Sequence, residues 1–172
     1  MDTLAFWYQV IIASELLLGE AMFLLKDDGW EGELKAFYAK HLEDERHHAK
    51  WLKEDLGDYP IALHMTAAQI AGTGYYLIRH VHPVALMGYM QALEGNQIPM
   101  QFVEEVEAAH GKAAARTLRL HAEEDPHHIV ELKSFAVPQE WAPLVETART
   151  QTQLYIDSLR PAMSGPQSAS FH

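Results

Sequence analysis

Apolar residues along this chain recur at spacings of three and four, and the runs that carry the pattern are separated by short clusters of turn residues. The pattern predicts helices over about 3–26, 30–56, 62–80, 83–96, 98–109, 112–134 and 138–160. Each break has a local cause. "KDDGWEG" separates the first two helices and "LGDYP" closes the second. Gly72 and Gly74 loosen the third, and Pro83 starts the fourth. "EGNQIP" turns into the fifth, Gly111 precedes the sixth and "FAVPQEW" opens the last. Strand-type alternation is weak. The expectation is an all-α, single-domain bundle of about seven helices over 1–161, with short connections. Over 162–172, which includes "SGPQSASFH", the composition predicts a flexible tail.

The first helix sharpens the question of environment. "LAFWYQVIIASELLLGEAMFLL" is long and apolar enough to suggest a membrane span, but Glu15 stands at its middle and Glu20 near its end. An acid at the centre of a span costs roughly 2.5–3.5 kcal/mol. The stretch also lacks the basic start of a signal peptide. The expectation is a buried helix of a soluble, cytoplasmic protein with no membrane partner. Net charge is −11 over 172 residues with no basic cluster, which argues against a nucleic-acid partner. There are no cysteines, so disulfides, thiolate metal sites and a cysteine nucleophile are excluded. Eleven histidines in so acidic a chain instead suit a divalent metal of intermediate hardness.

Those histidines are not scattered. "HLEDERHHAKWLK" (41–53) and "HAEEDPHHIVELK" (121–133) align at a constant offset of eighty, with six of thirteen positions identical and two more exchanging Asp for Glu. His41, Glu45, His48 and Leu52 correspond to His121, Asp125, His128 and Leu132. An offset one shorter carries Glu15 to Glu94. On a helix, positions i, i+4 and i+7 share a face, so each copy presents an acid and imidazoles as one stripe. Carboxylate-bridged dinuclear bundles use such helices, two giving an acid with a histidine three residues on and two giving a single Glu. Here the single acids are Glu15 and Glu94. The positions around Glu15 on its helical face (Tyr8, Ile11, Ile12, Leu18, Gly19 and Met22) carry no charge. An ionised carboxylate there is costly unless paired, and a metal would pair it. Met87, Met90 and Ile98 flank Glu94, but so do Gln91 and Gln97.

Pro126 admits two readings. Within a helix it removes a hydrogen bond and favours a kink or bulge at the site. Alternatively, Asp125 caps a helix that starts at Pro126, and then it binds backbone and no metal.

These residues resemble a known family, the haem-oxygenase-like di-iron oxidases, also called iron-containing redox enzymes. "HLEDERHHAKWLKEDL" is similar to that family's Glu-x-x-His helix, "ALEGNQIP" to its second carboxylate helix and "LHAEEDPHHIVEL" to its closing His-x-x-x-Asp-x-x-His motif. The resemblance spans roughly residues 10–135 and implies a seven-helix haem-oxygenase-like fold without haem. It implies two iron ions as cofactor, with O2 as co-substrate and a small organic substrate of amino-acid or fatty-acid type. Manganese stays open as the metal. By match of motif, Glu45, His48, Glu94, His121, Asp125 and His128 would be ligands, and Glu15 an additional carboxylate. His41 and Arg46 are candidates to orient the ligands by hydrogen bonding. Lys35, Arg79, Arg116 and Arg119 are candidates to hold a substrate carboxylate. The chain is shorter than expected for the family, which leaves open that a homodimer completes the site. Two other readings also stay open: an iron-storing or iron-sensing bundle without turnover, and a metal-free protein whose Glu15 and Glu94 pair with Lys or Arg.

Overall fold

A computed structural model describes residues 2–159. Among these the chain forms eight α-helices and no strand. They are α1 (Asp2–Leu24), α2 (Gly29–Asp44), α3 (His48–Leu56), α4 (Met65–His80), α5 (Ala85–Gly95), α6 (Met100–His110), α7 (Arg116–Ser134) and α8 (Ala142–Asp157), with a 3-10 turn at Lys112–Ala115 before α7. The all-α bundle expected from the spacing of apolar positions is therefore the observed architecture. The tail over 162–172 lies outside the described residues, as does the end of the expected domain.

Two apolar clusters fill the interior. The larger gathers α1, α2, α4, α5, α7 and α8 around Leu18, Tyr38, Ile70, Leu86, Tyr89 and Leu132. The smaller joins the start of α1 to α3, α6 and α7 through Leu4, Leu52, Leu56, Val103 and Leu118. Each fully buried residue of this kind contributes about 1.5–3 kcal/mol. α5 is the central helix, packed against α4, α7 and α8. Its crossing with α8 is so close that a Cβ at Gly88 would lie 2.0 Å from the carbonyl oxygen of Val145. Tyr38 and Tyr89 are fully buried, and each hydroxyl has a partner, the Pro83 carbonyl and Ser14 respectively.

α1 departs from the expectation of a buried helix. It sends Phe6, Val10, Leu17 and Leu18 into the core but leaves Leu16 70% and Phe23 78% exposed. It is also the one helix among the described residues long and apolar enough to cross a membrane. Glu20 lies on its outer side and accepts a hydrogen bond from Arg79 of α4 at 2.8 Å.

The second expected helix, 30–56, is two helices. α2 ends at Asp44, Glu45 occupies its C-cap and His47 takes a left-handed conformation (φ 81°) before α3 begins. No glycine or proline marks this break. His41, Glu45, His48 and Leu52 therefore do not form one helical stripe, and the chain re-aims within the motif. The second copy behaves differently. α7 runs unbroken through Pro126, so Asp125 lies inside the helix and does not cap it. That removes the reading of Asp-Pro as a helix start. The N-terminus of α7 is capped from elsewhere. Asp55 of α3, almost fully buried, accepts the Thr117 backbone N–H at 3.0 Å, its hydroxyl at 2.6 Å and Arg116 at 3.0 Å.

Candidate metal centre

A cavity of about 80 Å³ opens where the two apolar clusters meet. Val10, Leu18 and Met90 reach it from the larger cluster, Leu52 and Leu118 from the smaller. Into this apolar space project Glu15 from α1, His41 from α2, Glu45 from the α2–α3 junction, Glu94 from α5, and His121 and Asp125 from α7. His48 and His128 stand directly behind them. The rings of His48 and His121 pack edge to face at 4.8 Å, and those of His41 and His128 at 5.5 Å.

The acids and imidazoles are interleaved. His48 Nδ1 donates to Glu45 Oε2 at 2.8 Å, across the helix break. His121 Nδ1 donates to Asp125 Oδ1 at 3.0 Å within α7. His41 Nε2 stands 3.0 Å from Glu94 Oε1. His128 Nδ1 lies between two carboxylates, 3.6 Å from Glu45 Oε1 and 4.0 Å from Glu94 Oε2. Donor atoms of Glu45, His48 and His121 all lie within 4.8 Å of one another, a grouping able to hold a metal ion. Glu45 thus faces imidazoles on both sides, one from each copy of the motif. The break at Glu45–His47 also places the Ala49 N–H, near the start of α3, against the Glu15 carboxylate.

The electrostatics follow from burial and these contacts. For Glu45, burial favours the neutral acid, but the bond from His48 and the nearby His121 and His41 outweigh it and hold the carboxyl down at about 2. For His41 and His121, burial favours the neutral ring, but the bonds to Glu94 and Asp125 outweigh it and raise both above the usual imidazole value. Glu94 is raised, chiefly by burial, with His41 opposing. Glu15 is raised by burial and by the Glu45 charge.

Three buried polar atoms here have no hydrogen-bond partner: Glu94 Oε2, His121 Nε2 and His128 Nδ1. An unpaired buried polar group costs about 1–3 kcal/mol, and several in one cavity indicate a missing ligand. A buried carboxylate costs several kcal/mol unless neutralised, while a whole domain is stable by only about 5–15 kcal/mol. Four carboxylates around one cavity therefore require compensation. With neutral imidazoles, two divalent cations would balance their charge. Carboxylate oxygen and imidazole nitrogen suit iron, manganese or zinc, so the side chains present fit the group that the sequence suggests.

The seven expected ligand residues are thus brought together, with His41 beside them. Arg46 is not. Its guanidinium pairs with Glu43 on the exposed surface and orients nothing in the cavity. His47 and His127, left out of the ligand set, are exposed. The basic residues considered for a substrate carboxylate are all engaged elsewhere: Lys35 with Asp27, Arg79 with Glu20, Arg116 with Glu54 and Asp55, and Arg119 with Glu107. No lysine or arginine lines the cavity among the described residues. Trp7, Ser14, Asn96 and Thr117, which the sequence pattern did not single out, also form part of the cavity wall. Trp7, Ile11, Ser14 and Leu18 share one helical face by their spacings of four, three and four, and Glu15 borders it. Asn96 and Thr117 carry no comparable signal.

No family model, curated protein or solved structure matches this chain.

Proposed function

We propose that the protein is a non-haem di-iron oxidase or oxygenase, using O2 to oxidise a small organic substrate in the cavity between α1, α5 and α7. The observation that carries this reading is the convergence of four carboxylates and two imidazoles on one apolar cavity, with two further imidazoles packed against them and three buried atoms of this group lacking any partner. The sequence resemblance to haem-oxygenase-like di-iron oxidases belongs to the same proposal. It supplies the choice of iron over manganese and the assignment of O2.

In this reading Glu15, Glu45, His48, Glu94, His121, Asp125 and His128 hold the ions. Glu45, placed between His48 and His128, reaches both halves of the set. His41 orients Glu94 through their 3.0 Å contact. When bound, two ferrous ions supply the electrons that reduce O2, the chemistry the protein itself lacks. The chain's own residues position the substrate and limit water. Val10, Leu18, Leu52 and Leu118 give the reacting space an apolar wall, and Ser14 and Thr117 are already committed to Tyr89 and Asp55.

The metal-free reading expected Glu15 and Glu94 to pair with Lys or Arg. Among the described residues neither does, and Glu94 pairs with His41. An iron-storing or iron-sensing role uses the same ligands and is distinguished by turnover. The test is anaerobic loading with Fe(II), followed by O2. The oxidase reading expects a transient absorbance and O2 uptake, both lost in Glu45→Gln. Stable iron binding with no reaction toward O2 would contradict it.

A further inference from the structure

A second depression lies on the surface beside the metal cavity, lined by Phe6, Gly95, Gln97, Pro99, Ile156 and Leu159 together with Trp7 and Asn96. Trp7 and Asn96 line the inner cavity as well. Asn96 is fixed in place. Its amide donates to the Ala92 carbonyl at 2.6 Å and exchanges hydrogen bonds with Gln153 at 2.7 and 3.2 Å. Trp7 is half-buried on the facing helix. Consecutive residues of α5 therefore address the two spaces, Glu94 the cavity and Gly95 the groove.

Gly95 needs an explanation. Its φ is not in the positive region that favours glycine, and a Cβ there would meet only Ile129 Cδ1, at 4.0 Å. Neither backbone strain nor close packing accounts for the missing side chain. Among the described residues, neither the groove nor the cavity presents a lysine or arginine, and the cavity holds four carboxylates. In the metal-free protein an anionic group entering there would be desolvated beside those carboxylates, with no cationic side chain of the described residues to meet it.

We propose that the groove is the mouth of the metal cavity, that ligands pass between Trp7 and Asn96, and that the compound admitted is uncharged and predominantly apolar. Gly95 sets the width of that mouth. The inference names the substrate class for the site proposed above and rests on that reading for its functional meaning. Its binding step is measurable with or without metal.

The probe is bromo-octanol, whose bromine quenches tryptophan fluorescence, with bromo-octanoate as its anionic counterpart. Both are titrated into the full chain, metal-free and after Co(II) loading. The expected result is saturable quenching by the alcohol, absent in Trp7→Phe, with the carboxylate at least about tenfold weaker in metal-free protein. Gly95→Leu should weaken alcohol binding at least about tenfold. Gly95→Ala, whose added atom meets nothing closer than an ordinary contact, should bind as the parent does. Circular dichroism melts verify that each variant is folded. Equal binding of alcohol and carboxylate by metal-free protein would overturn the inference, as would quenching unaffected by a folded Gly95→Leu. So would an absence of quenching in protein that has taken up Co(II). Alcohol binding with no uptake of metal would leave this inference standing and remove the oxidase.

Discussion

Glu94 of α5 and His41 of α2 meet inside the bundle with 3.0 Å between carboxylate oxygen and imidazole nitrogen. Among the described residues His41 is the only partner within hydrogen-bond distance of Glu94, and the second oxygen of Glu94 has none. His41→Ala should therefore leave a buried carboxylate without its donor and lower the stability of the metal-free protein by about 1–3 kcal/mol. It should also reduce the metal bound at saturation. Urea unfolding and metal analysis of the same preparation check both. A variant with unchanged stability and full metal content would remove His41 from the site.

The pH dependence should reverse sign with metal. His41 and His121 are raised above the usual imidazole value by Glu94 and Asp125, despite the opposing effect of burial. In metal-free protein their contribution to stability is fully present below the unfolded value near 6.5 and is lost as pH rises through the higher folded values. A metal needs the neutral rings, so protons compete with it and binding strengthens over that same range. Thermal melts from about pH 6 to about pH 8 should show the metal-free protein losing stability and the metal-loaded protein gaining it. Parallel slopes would contradict the assignment of these rings.

Gly88 offers a test of the fold apart from the site. A Cβ there would lie 2.0 Å from the Val145 carbonyl oxygen and 2.8 Å from the Arg149 backbone nitrogen. Neither atom belongs to a flexible side chain, so α5 and α8 must separate. Gly88→Ala should cost about 3 kcal/mol or more, read as a lower urea midpoint. A loss below about 1 kcal/mol would mean the helices do not cross this closely.

Strain at the helix break gives a further expectation. His47 holds a left-handed conformation that costs a residue with a Cβ about 1–2 kcal/mol, and its side chain is exposed. His47→Gly should keep or raise stability by up to about 1 kcal/mol with metal content unchanged. A clear loss in urea unfolding would show that 45–47 is not turned in this way.

How far the sequence led differs between the two copies of the motif. The apolar spacing located the helical segments but ran α2 and α3 together, because burial of one face is the main force that shapes each helix and it does not report a break between two of them. Around Pro126 the local rule left a kinked helix and a cap both open; α7 continues through it and removes the cap, with Asp125 bonded to His121 and with Ile129 and Leu132 in the core. Around Glu45 the local rule pointed to a continuous helix, yet the chain breaks where "EDERHH" offers no glycine or proline. The one hint was a histidine at position 47, a type enriched among non-glycine residues in the left-handed region. Long-range contacts decide both cases: Glu45 faces His121 and His128 of α7, and the freed N–H of Ala49 faces Glu15 of α1. The acids and imidazoles were legible because their types and spacing repeat. The cavity wall at Asn96 and Thr117 was not, since it depends on how α5 and α7 end and begin against other helices. Arg46 was misplaced because spacing along a helix does not report a turn made one residue earlier.

The central claim is that these side chains hold two ions. Its most direct test is the number of metal ions retained per chain after anaerobic Fe(II) loading and desalting, measured by elemental analysis beside Glu45→Gln and His121→Ala. The account expects two in the parent chain and a loss in each variant, most severe for Glu45→Gln because Glu45 faces both halves of the set. Fewer than one ion per chain, or a content that neither substitution changes, would contradict it.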